Sequence, residues 1–270
     1  VEAAGGRLVV YFGARHWRWD QDAAISQATF NAGVATSSTA AGASLVSRRP
    51  VGTIPHVLEN VLAWRYGKER AVVESTKAFD REIDPEIKRI ALIDYNNREI
   101  DDSLAVAEEL GERLYGVRVD TCGENMAQGA LTSPEDPKAA EWRAQGLFLP
   151  EASHRHAKYW YGSGVTITGV FALRRALDSA GFKNVQIILT SGFGDQQKVL
   201  AFREAERLLG IKLFESLGVG GFYESRAAKM DIVMVGEDRN SLTPISKAGR
   251  GLKPNPAMKL RLGEEPDNLC

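Results

Sequence analysis

Short apolar runs recur along the chain, and their continuity constrains the fold more than any other feature. They cover residues 7–12, 90–95, 115–120, 185–190, 213–218 and 230–235. They are largely continuous apolar stretches rather than alternating ones, interrupted by Arg118, Gln186, Glu215, Ser216 and Asp231. A strand with one wet face alternates; a strand buried on both faces does not, and parallel sheets are the usual place for such strands. Amphipathic stretches lie between the runs. Residues 101–114 carry Leu104, Ala107, Leu110 and Leu114 at helical spacing, and 168–179 and 196–209 read the same way. The last two are followed by Gly181 and Gly210, which suit helix stops. Strand alternating with helix is the pattern of an α/β fold with a parallel sheet.

The ends of the runs separate a barrel from an open sheet. The second and third deliver Asp94 and Asp120. The fourth passes into Ser191-Gly192-Phe193-Gly194, and the fifth into Gly218-Val219-Gly220-Gly221. Polar or glycine residues thus gather at the carboxyl ends of several different strands, the face that carries the active site of a (β/α) barrel. An open dinucleotide-binding sheet would instead place GxGxxG after its first strand, and none follows residues 7–12. The expected fold is an irregular TIM-like (β/α) barrel over residues 1–239, with fewer than eight regular strands. Residues 123–164, with Pro134, Pro137 and Pro150, form a long excursion on the active-site side. Residues 240–270, rich in Lys, Arg, Gly and Pro, form an irregular strap or tail. The chain starts at Val1 with a strand close behind, which suggests a missing N-terminal part.

The 34 basic and 35 acidic residues give a net charge of -1, which disfavours a broad basic face for nucleic acid. No apolar run approaches the ~20 residues of a membrane span. The two cysteines, Cys122 and Cys270, offer neither a disulfide framework nor metal-ligand spacing, so a reducing cytoplasm is expected. His154 and His156 stand two apart and fall on different helix faces, so no zinc site is expected.

Several residues carry candidate chemistry. Glycines at Gly192, Gly218, Gly220 and Gly221, with Ser191, let backbone N–H groups crowd around phosphate oxygens, and a following helix adds positive potential; tight turns are the plainer reading. Asp94 and Asp120 suit ribose hydroxyls, a Mg²⁺-bound pyrophosphate or general-base work; a helix N-cap is the plainer alternative, less so for Asp120, which precedes a non-helical excursion. In Tyr11-Phe12-Gly13-Ala14-Arg15-His16, Phe12 could stack on a planar heterocycle and Arg15 could clamp a carboxylate. Arg118 shares a strand face with Asp120, and inside a barrel it would need an anion.

These strings, in order, resemble nicotinate phosphoribosyltransferases. The match runs from Tyr11-Phe12-Gly13-Ala14-Arg15-His16 through Pro50-Val51-Gly52-Thr53-Ile54-Pro55-His56, Leu92-Ile93-Asp94-Tyr95 and Val117-Arg118-Val119-Asp120-Thr121 to the two glycine loops. The resemblance, to type II enzymes that include nicotinamide and quinolinate relatives, implies an N-terminal α/β sandwich domain absent from this chain. It implies transfer of phosphoribosyl from 5-phosphoribosyl 1-pyrophosphate to nicotinate, giving nicotinate mononucleotide and pyrophosphate. Phe12 would stack on the pyridine, Arg15 and Arg118 would face its carboxylate, and Thr53 would contact substrate. Asp120 would hold the ribose hydroxyls and Asp94 would lie nearer pyrophosphate and Mg²⁺, the ion being bound mainly through that pyrophosphate. Ser191, Gly192, Gly218, Gly220 and Gly221 would hold the 5-phosphate. His56 takes the place of the histidine that ATP-coupled members phosphorylate, and a homodimer with shared sites is implied. Departures are Ala35, where the family has Asp, and Val57, where ATP-coupled members have Ser. Quinolinate phosphoribosyl transfer and a non-catalytic, ligand-binding relative are the alternatives.

Overall fold

The computed structural model describes residues 1–222 and 231–251. Its elements in chain order are β1 (Leu8–Tyr11), α1 (Asp22–Asn31), β2 (Thr36–Ser37), α2 (Ala40–Ser44), α3 (His56–Tyr66), α4 (Ala71–Glu82), β3 (Arg89–Leu92), α5 (Glu99–Leu110) and β4 (Leu114–Val119). There follow α6 (Pro137–Ala144), α7 (Ala157–Trp160), α8 (Ile167–Ser179), β5 (Gln186–Leu189), α9 (Gln196–Leu209), β6 (Ser216–Val219), β7 (Met234–Val235) and β8 (Thr243–Pro244).

Six strands form one parallel sheet in the order β2-β1-β6-β5-β4-β3. Except for β2 and β3, each strand lies beside its neighbour in sequence, and the last of the six, β6, pairs with the first, β1. That is the cyclic order of a barrel opened between β2 and β3, with no reversal of direction of the kind that marks a doubly wound sheet. Strand interiors are buried: Ala91, Leu92, Val117, Ile187 and Leu189 have no exposure, which is why these positions are apolar.

Several expected boundaries move for physical reasons. The helix expected over 101–114 stops at Leu110, because Gly111 takes a left-handed φ of 57°, and Leu114 opens β4 instead. Leu213 and Phe214, expected in a strand, are fully buried but lie ahead of β6, in the turn that leaves α9. Of the run 230–235, Met230 lies outside the described residues. Met234 and Val235 pair antiparallel with β8, outside the main sheet. The two-residue β2 gave no sequence signal, being Thr-Ser.

The excursion after β4 is folded. Leu131 and Trp160 are buried, Thr168 Oγ1 donates to the Trp160 carbonyl at 2.6 Å, and the Leu131 N–H donates to Thr168 Oγ1 at 3.1 Å. α7 rests on α8 and α9. Replacing Trp160 by Ala is expected to cost about 3–5 kcal/mol of stability, as for other buried large-to-small changes. Chemical denaturation would read this, and a loss below about 1 kcal/mol would mean that the segment is not part of the core.

The chain after β8 returns to the barrel. Ile245 and Lys247 are buried, and the Ala248 N–H donates to the Tyr95 carbonyl at 2.8 Å. Asn125 Nδ2 donates to the Ala248 carbonyl at 2.9 Å, so this strap is pinned between the end of β3 and the start of the excursion.

Candidate active site

The carboxyl ends of β1, β6, β5 and β4 are contiguous in the sheet, and they bring together Phe12, the Gly218 loop, Thr190 with the Ser191 loop, and Arg118 with Asp120. The Arg118 guanidinium carbon lies 5.9 Å from the centre of the Phe12 ring. Its side chain is only 12% exposed, and its NH2 lies 3.9 Å from Asp120 Oδ2. Another contact, from NH2 to the Ile54 carbonyl, is long at 3.5 Å, and Nε has no partner among the described residues. A buried guanidinium so weakly satisfied is poised for an anion. Thr190 Oγ1 donates to Asp120 Oδ1 at 2.7 Å, which fixes that carboxylate and leaves it half-buried at the mouth.

The glycines divide by role. At Gly218 a β-carbon would stand 2.7 Å from Thr190 Cγ2 and 2.9 Å from the Phe12 ring, and at Gly220 it would stand 2.4 Å from the Phe12 carbonyl. Both positions are glycine because Phe12 lies across them. Gly194 faces the Gly221 carbonyl, so the two loops meet backbone to backbone, with the His16 ring against Gly221. Ser191 and Gly192 take left-handed φ of 66° and 84°. The N-terminus of α9, expected to add positive potential, is already capped: Asp195 Oδ1 accepts from the Gln197 N–H at 2.9 Å. The cation there is Lys198, which sequence reasoning passed over. Its Nζ donates to the Ser191 carbonyl at 3.1 Å, and burial draws it down to about 8 against the opposing charge of Asp195.

Replacing Gly218 by Ala is expected to push the Phe12 ring off its seat. The added methyl meets side-chain atoms rather than backbone at this position. Stability should fall by about 1–3 kcal/mol, as for an overpacked core, and chemical denaturation reads this. Unchanged stability would show that the Phe12 ring is not held in that seat.

The acidic part of the site is built behind this wall. His56, 28% exposed at the start of α3, donates from Nε2 to Asp94 Oδ1 at 2.9 Å. Asp94 is fully buried, and its Oδ2 accepts from Lys247 Nζ. Burial alone would raise the Asp94 carboxyl, but the hydrogen bonds and charges of His56 and Lys247 overcome this and hold it at about 2. Asp94 therefore reaches a substrate only through His56. Glu59, one helical turn after His56, is fully buried 3.9 Å from His56 Nε2, and neither of its oxygens has a hydrogen-bond partner among the described residues. Burial, and then the charge of Asp94, push the Glu59 carboxyl well above the usual range. Its spacing from His56 was visible in the sequence; that of Lys247, 153 residues from Asp94, was not.

His56, Asp94 and Asp120 each offer a ligand atom within 4.8 Å of the others, an arrangement that spacing in the sequence did not disclose. Thr53 is half-buried, with Oγ1 unpartnered among the described residues. Arg15 is exposed on a 3₁₀ turn. A largely apolar cavity of about 860 Å³ adjoins the loops at Phe193, Gly194 and Phe222 but is not lined by Phe12, Arg118 or Asp120.

No protein-family model matches the sequence, and no curated protein matches it. Solved structures do. The chain is similar to nicotinate-nucleotide pyrophosphorylase from Pyrococcus furiosus, with 25% identity, a TM-score of 0.57, and coverage of 92% of this chain and 50% of that one. It is similar in fold to nicotinate phosphoribosyltransferase from Porphyromonas gingivalis, with 14% identity, a TM-score of 0.58, and coverage of 94% and 57%. It is also similar in fold to nicotinate phosphoribosyltransferase from Vibrio cholerae, with 16% identity, a TM-score of 0.52, and coverage of 82% and 43%. The chain spans about half the length of these proteins. These likenesses support the family that the motifs resemble, the type II phosphoribosyltransferases. Among the described residues no helix is long and apolar enough to cross a membrane.

Proposed function

We propose that this chain carries the site at which phosphoribosyl is transferred from 5-phosphoribosyl 1-pyrophosphate to nicotinate, in pyridine nucleotide formation. The observation that carries the choice of base is Arg118: a nearly buried, under-satisfied guanidinium set against the Phe12 ring. A flat ring on Phe12 would present its carboxylate to Arg118, where a charge-assisted bond is strongest. Asp120, held by Thr190, is the carboxylate that would accept from ribose hydroxyls. The loops around Ser191 and Gly220, with Lys198 beneath, suit the 5-phosphate.

Breaking the bond to pyrophosphate builds positive charge on the sugar and negative charge on the leaving group. The residues therefore act by positioning and by fixed charge, and no covalent nucleophile is needed. Mg²⁺ carried by the pyrophosphate fits the donor set, because such an ion takes only one or two protein carboxylates and Asp120 is accessible. It would neutralise the leaving group. If ATP is coupled, His56 is the residue that would take the phosphoryl group. A second copy of the chain completing the pocket, and a cytoplasmic location, belong to the same proposal.

The test is a product assay offering nicotinate, nicotinamide and quinolinate separately with donor and Mg²⁺, with and without ATP. Nicotinate mononucleotide from nicotinate is the expected result. Preference for quinolinate, which needs a further cation for its second carboxylate, would shift the assignment to the decarboxylating relative. Donor binding with no nucleotide from any base would favour a non-catalytic relative.

A further inference from the structure

Lys247 reaches the acidic part of the site from the strap, not from a barrel strand. It is 5% exposed, with Nζ on Asp94 Oδ2 and 3.5 Å from the Asp120 carbonyl. The ammonium thus sits beside two members of a group whose spacing suits a small cation: His56, Asp94 and Asp120. Asp94, the most buried of them, has one oxygen on His56 and the other on Lys247. The position of the lysine is not left to a mobile side chain alone. Its neighbour Ala248 is bonded through its N–H to Tyr95, adjacent to Asp94, and through its carbonyl to Asn125.

A free divalent ion entering this group would either displace Lys247 from Asp94 Oδ2, leaving a buried ammonium without its carboxylate, or take Oδ1 from His56 and sit against that ammonium in a buried site; both are costly. An ion already held by pyrophosphate brings its own oxygens and has no need of Asp94. We propose that Lys247 is a tethered counter-cation that keeps a free divalent metal out of the His56–Asp94–Asp120 group, so that the metal enters only in complex with a pyrophosphate. The pyrophosphate half rests on the function proposed above; the exclusion of free metal does not.

Mn²⁺ retained by the full chain, read as the excess of metal on the protein side in equilibrium dialysis so that soluble Mn²⁺–pyrophosphate does not count, tests this without turnover. Wild-type protein should bind Mn²⁺ at least about tenfold more tightly with inorganic pyrophosphate than alone. Lys247→Met should bind Mn²⁺ alone at least about tenfold more tightly than wild type, because the competing charge is gone. Lys247→Arg should behave as wild type, and adding Asp94→Asn to Lys247→Met should remove the gained site. Equal binding of Mn²⁺ alone by wild type and Lys247→Met would overturn the proposal. If Lys247→Met does not fold, the wild-type comparison decides: equal binding with and without pyrophosphate overturns it. Failure of the product assay with these metal results intact would sink phosphoribosyl transfer and leave the exclusion standing.

Discussion

Replacing Asp94 by Ala should lower stability by about 3–5 kcal/mol, because it leaves Lys247 buried without its counter-charge. The same change should cut turnover by about 10²-fold, as for a misplaced side chain in the site, since His56 would lose the partner that orients it at Nε2. Denaturant unfolding and the product assay read the two effects separately. Asp94→Asn keeps the shape and loses the charge, so it isolates the electrostatic part. The carboxyl is held at about 2 against an ordinary 3.8. Its ionised form therefore stabilises the fold fully above about pH 4, and that contribution, about 2 kcal/mol, is lost as pH falls towards 2. The stability gap between wild type and Asp94→Asn should narrow over that window. A gap independent of pH there would mean that the Asp94 charge is not what holds His56 and Lys247.

Arg118→Ala should have the second large effect, on the base rather than the fold. Truncating one partner of a desolvated charge pair costs about 2–5 kcal/mol, so kcat/KM for nicotinate should fall by about 10²-fold or more. Donor binding should be nearly unchanged, because Asp120 is fixed by Thr190 and Lys198 by the Ser191 carbonyl, and neither of these bonds involves Arg118. Arg118→Lys should recover part of the loss, as a point charge without the planar fork. Nicotinamide, which has no carboxylate, should lose far less than nicotinate in Arg118→Ala. Equal loss for both bases, or equal loss of donor binding, would show that Arg118 does not read the carboxylate.

The residues behind these two predictions were legible in the sequence to different degrees. Asp94, Asp120 and Arg118 stood out because each ends or occupies an apolar strand, where a charge needs a reason. Gly218 and Gly220 stood out as well, but the reason read from sequence was phosphate or a turn. The structure shows that the Phe12 ring and carbonyl occupy the space a side chain would need. Glu59 was within reach, since a glutamate one turn after His56 shares its helix face. Lys198 was hidden by an ordinary amphipathic helix start.

By itself the sequence determined the parallel α/β class, because short, largely apolar runs alternating with amphipathic stretches are the pattern of strands covered on both faces by helices. It also determined the order in which the site's parts occur along the chain. Only the tertiary structure decided that β6 closes back on β1, which sets Phe12 beside Arg118, and that β2 exists at all. It alone decided that the strap returns to place Lys247 on Asp94. A charge pair separated by 153 residues leaves no periodicity to read. Its partners are chosen by where the barrel ends and the strap is pinned.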